Sequence, residues 1–110
     1  MSSLFTDIEV HALNGSRSEI TGRLGITTNL RCSMTVVGRS MGAGDYQYLA
    51  QFVEPDLLIK PDDHQITLVL IMGLEESVDL RPGQTVEFFE ALKKLATGIV
   101  RNIREAPPAL

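Results

Sequence analysis

Two histidines sit beside carboxylates in this sequence, His11 in the run Asp7-Ile8-Glu9-Val10-His11 and His64 in Asp62-Asp63-His64. Imidazole and carboxylate together suit divalent metals, and either group can serve as an acid or base. Neither histidine has a second one at short spacing, so a shared site would need the fold to bring the two together. Solvation of a strand's polar face and ordinary turn chemistry account for both positions without a ligand. The single cysteine, Cys32, falls on the apolar side of the alternation Leu30, Cys32, Met34, Val36 and has no base or cation beside it in sequence, which predicts a core thiol. Ser16, Ser18 and Ser33 lack the strand-turn-helix setting of a nucleophilic serine. No cofactor and no metal ligand is assigned.

Arg23, Arg31 and Arg39 share odd parity with Thr21, Thr27, Ser33 and Thr35. Paired strands would gather them into one patch, and guanidinium forks among hydroxyls suit phosphate or carboxylate, so these three are the candidate ligand-binding residues. Few aromatic side chains are at hand to stack bases, and the net charge of −4 opposes nucleic-acid binding. The charge is uneven along the chain: Asn14 to Gly44 carries four arginines against one acid, and Asp45 to Glu90 carries ten acids against Lys60 and Arg81. That division predicts an electrically two-sided molecule.

The stretch Val36-Val37-Gly38-Arg39-Ser40-Met41-Gly42-Ala43-Gly44 spaces its glycines G-x-x-x-G-x-G. Over these nine residues it resembles the phosphate-binding turn of short-chain dehydrogenases, in which glycines let the backbone approach a pyrophosphate. It departs from that family in having Val37 where the Thr stands, strands before it in antiparallel order, no clear acidic partner and no Tyr-x-x-x-Lys pair. The stretch is therefore read as a connecting loop, and Gly42 and Gly44 as replaceable by Ala without loss of nucleotide affinity.

The elements that must position these residues follow from hydrophobic periodicity. Asp7 to Ala12 alternates as a half-buried strand, with a helix as the other reading. Ile20 to Ile26 alternates with Ile20, Leu24 and Ile26 inward and Gly22 at a bulge, and Leu30 to Gly38 alternates again, giving an antiparallel meander. Asp45 to Val53 suits strand or helix. Ile66 to Met72 is continuously apolar and β-branched, as a central strand covered on both faces would be. Ser77 to Leu80 reads as a last edge strand. From Gln84 to Arg104, Phe88, Phe89, Leu92, Leu95, Ala96, Ile99 and Ile103 recur at three and four, which predicts a long amphipathic helix with Leu92 in its buried stripe.

The chain thus reads as a single α+β domain, 1–110, in which an antiparallel sheet of five or six strands is covered by the C-terminal helix; a small barrel closed by that helix is the alternative. No secretory signal and no apolar stretch near 20 residues is present, and one cysteine fits a reducing compartment, so a cytoplasmic protein that does not enter membranes is expected. The function expected is a non-enzymatic binding or adaptor module that recognises an acidic partner or an anionic small ligand and self-associates as a homodimer, by packing of the helix's apolar overhang or by edge strands continuing one sheet. The other class is a small enzyme with a pocket between helix and sheet and His11 or His64 as acid or base.

Overall fold

The computed structural model describes residues 2–38, 48–73 and 80–104. Among them there is no helix. Eight strands follow one another among the described residues: β1 (Ser2–Ala12), β2 (Ile26–Thr27), β3 (Arg31–Val36), β4 (Tyr48–Phe52), β5 (Leu58–Ile59), β6 (His64–Gly73), β7 (Thr85–Glu90) and β8 (Lys93–Arg104). Six of them close into an antiparallel barrel in the order β1-β6-β4-β3-β7-β8, with β8 paired back to β1. Closure leaves the barrel strands no free edge, which removes the main route to unwanted strand pairing.

The period-2 pattern decides which side chains go inside. Thr6, Ile8, Val10 and Ala12 of β1 are buried, as are Cys32, Met34 and Val36 of β3 and Tyr48, Ala50 and Phe52 of β4, while the residues between them point out. Phe52 and Phe88 meet near the middle with ring centres 5.1 Å apart. A barrel of this size is filled by such side chains and holds no channel.

The end of the barrel where β1 stops and β6 starts is capped. Connections β1 to β3 and β4 to β6 each contribute one short strand, and β2 pairs with β5 through Ile26 opposite Ile59. Ile26, Leu30, Leu57 and Ile59 are buried in the same cluster as the barrel core. At Gly25, φ is +75° and a Cβ would run into the backbone carbonyl of Ile59, so only glycine lets the two connections touch.

Several expectations are corrected by this architecture. The α+β class does not hold, nor does a barrel closed by a helix: 84–104 is the β7–β8 hairpin, and β8 itself closes the barrel against β1. The helix-like spacing comes from a turn and two bulges. Ala91, at φ 54°, turns the chain and leaves Leu92 98% exposed. The register then slips opposite Phe88/Phe89, so Leu95 and Ala96 are both buried, and slips again opposite Asp7/Ile8, so Arg101 is the extra residue and Ile103 takes an inward position. Each bulge shifts the alternation by one and converts spacings of two into three.

The N-terminal segment is strand, longer than Asp7 to Ala12, and 48–52 is strand as one of its two readings had it. Ile20 to Ile26 is not a barrel strand. Only Arg17 and Leu24 form an isolated bridge there, Gly22 turns at φ +71°, and Ile20 is 80% exposed. Residues 66–72 do lie between two strands, β1 and β4, and are buried on the inner face, while on the outer face Leu68 is buried, Leu70 and Met72 are half-buried and Ile66 is exposed. Leu80 is buried outside any strand, and 77–79 lie outside the described residues.

Candidate functional site

Because β6 is apolar at Ile66 and from Leu68 to Met72, its outward residues Ile66, Leu70 and Met72 carry apolar side chains where a barrel ordinarily carries polar ones. Register brings others beside them. Met72 lies opposite Leu49 of β4 and Ser3 of β1; Leu70 lies opposite Gln51 of β4 and Phe5 of β1. Leu49 and Ile66 are exposed, and Phe5, Leu70 and Met72 are half-buried. These five form an apolar face across three strands, and grouped exposed apolar side chains of this kind mark interaction sites more often than scattered ones do.

The charges around this face are not equivalent. Glu9 accepts from Arg101 at 2.9 and 3.3 Å, and Asp7 accepts from Arg104 at 3.1 and 3.2 Å and from Asn102. The bulge at Arg101 is what aims these cations back over β1. On the next strand round, Lys94 pairs with Glu87. Arg31, in the same cross-strand row as Gln51, Leu70 and Phe5, has no partner among the described residues. Among the described residues, the charge left without a partner in the cross-strand rows of the apolar face is thus that of Arg31.

Of the two candidate arginines among the described residues, Arg31 is on the barrel and Arg23 is not. Arg23 is exposed in the excursion between β1 and β2, away from any strand that could pair it with Arg31, and Arg39 lies outside the described residues together with most of the glycine stretch. The meander that was to gather them is absent. Among the described residues there is no helix, and so no pocket between helix and sheet.

The two histidines, in contrast, are brought together. His11 and His64 face one another across β1 and β6 with ring centres 6.5 Å apart and planes at 86°. Both are exposed, at the rim of an open depression of about 330 Å³ lined also by Glu9, Thr97 and Ile99. Cross-strand pairing over fifty-three residues of separation leaves no trace in sequence spacing.

Cys32 is buried as expected, and burial, with the negative charge of Glu90 adding to it, pushes its thiol up to about 12. A thiol so disposed remains protonated and unreactive at neutral pH. Glu90 holds the β1–β2 excursion against the β7–β8 turn, accepting from the Ser18 hydroxyl at 2.5 Å and the Glu19 amide at 2.6 Å. Among the described residues, no helix is long and apolar enough to cross a membrane.

Comparison of the chain with protein-family models, with curated proteins and with solved structures finds no match.

Proposed function

We propose that this chain is a non-enzymatic binding module that docks an amphipathic, acidic segment of a partner protein on the outward face of β4, β6 and β1. The observation that carries the reading is the cross-strand alignment of Leu49, Met72, Leu70 and Phe5 with Ile66 nearby, all apolar at outward positions. An apolar stripe gives the contact its strength, and the unpaired Arg31 at its border favours acidic flanks. The filled barrel interior supports binding on the outside, since Ile8, Val10, Met34, Phe52, Val86 and Phe88 leave the middle of the barrel to side chains.

Fluorescence anisotropy with short amphipathic peptides of one apolar stripe and either acidic or basic flanks tests this. The acidic series is expected to bind, Leu49→Asp to abolish binding, and Arg31→Glu to reverse the preference between the two series. Equal binding by the native chain and Leu49→Asp refutes the assigned face. Sedimentation run in parallel identifies the other occupant: a dimer that Leu49→Asp converts to the 12.1 kDa monomer means a second copy fills this face.

A further inference from the structure

We propose that His11 and His64 form a binding site for a divalent transition-metal ion, a pair of imidazoles clamping the ion with water completing its coordination. This inference is independent of the docking face. The two residues are direct partners in the antiparallel ladder. The next residue, Ala12, both donates and accepts backbone hydrogen bonds across to Asp63 and Asp62, and such engagement alternates along a strand, so His11 and His64 form the non-hydrogen-bonded kind of pair. Side chains approach most closely in that kind of pair. Neither imidazole has a hydrogen-bond partner among the described residues, so the ring nitrogens are uncommitted.

The separation fits a shared ion. With metal–nitrogen bonds of about 2.0 to 2.1 Å and a tetrahedral angle, two imidazoles ligating one ion have ring centres roughly 5 Å apart. The observed 6.5 Å closes to that by side-chain rotation alone, since both rings are exposed and no backbone shift is needed. Glu9 projects from the same side of β1 two residues before His11, but its Oε1 is held by Arg101. Among the described residues no three His, Cys, Asp or Glu side chains stand close enough to hold an ion by themselves, which leaves the remaining coordination positions to water in the open depression. Two nitrogen donors select Cu²⁺, Ni²⁺ or Zn²⁺ over Mg²⁺ or Ca²⁺, which take oxygen ligands.

Calorimetric titration of the tag-free full chain with NiCl₂ and, separately, MgCl₂ tests the site. One Ni²⁺ per chain is expected, with no heat from Mg²⁺, and His11→Ala or His64→Ala should each weaken Ni²⁺ by at least about tenfold. Asp62→Asn in the adjoining turn should leave the affinity unchanged. Both histidines are exposed, so the variants should fold, and line broadening by Ni²⁺ in the native chain, centred on the amides around His11 and His64, locates the ion without any variant. Affinity weaker than about millimolar, binding retained in both histidine variants, equal binding of Mg²⁺, or broadening centred elsewhere overturns the proposal.

Discussion

Gly98→Ala should destabilise the barrel although the position is extended strand, where glycine is ordinarily a liability. Replacing glycine by alanine at an unstrained site stabilises by about 0.4 to 1 kcal/mol, through the unfolded chain. Here the added Cβ would lie 2.7 Å from Ile8 Cγ2, 3.2 Å from the Glu9 carbonyl oxygen and 3.3 Å from Phe88 Cε2. The first is a clash with a fully buried side chain, and the other two lie on the opposing backbone and on a core ring, so no flexible group can yield. Overpacking of this kind costs about 1 to 3 kcal/mol, which outweighs the entropic gain and leaves a net loss of roughly 1 to 2. For a chain of this size that lowers Tm by several degrees, on the order of 4 to 8 °C per kcal/mol. Urea unfolding followed by circular dichroism measures it, and in an Ile8→Ala background, where the blocking methyl is gone, the same substitution should cost less. An unchanged or raised midpoint for Gly98→Ala would refute the claim that β1 and β8 approach through this glycine.

Phe88→Ala should cost about 3 to 5 kcal/mol in the same unfolding assay, and Leu92→Ala should stay within roughly 0.5, because Leu92 stands in solvent at the hairpin turn. Cys32 should resist thiol reagents at neutral pH in the folded chain and react on unfolding. Its folded thiol ionises near 12 against an ordinary 9.0, so the neutral form's contribution to stability is complete below about 9 and is lost as pH rises towards about 12; Cys32→Val should flatten that alkaline decline. Glu90→Gln should leave Tm within a few degrees but speed hydrogen exchange at the Glu19 amide, which donates to that carboxylate.

Strands with one clean period were legible in the sequence. Leu30 to Val36 alternates without interruption and is the inward and outward pattern of β3. Where a bulge intervenes, the same rule misleads: Val100 and Ile103 both face the core three residues apart because Arg101 is extra, and that spacing is indistinguishable from a helix turn. Thr85, Val86, Thr97, Ile99 and Val100, all β-branched, together with Gly98, were the local signal against a helix. The apolar run in β6 was legible as strand, but how its outer side is covered is a property of the whole fold: Ile66 is exposed there and Leu68 buried. The meeting of His11 with His64 depends on register between strands far apart in sequence.

The seam between β1 and β8 has a consequence in time. It joins the beginning of the described chain to its end, with Phe5 beside Arg104. During synthesis β1 emerges first and waits with one flank unpaired until β8 arrives, and β7 is equally exposed until then. Pairings this distant in sequence are slow to form, and open strands are the surfaces on which nascent chains stick to one another. A chain halted before Lys93 is an open sheet with two adhesive margins rather than a smaller barrel, so the twelve residues of β8 act as the latch that ends its vulnerable period.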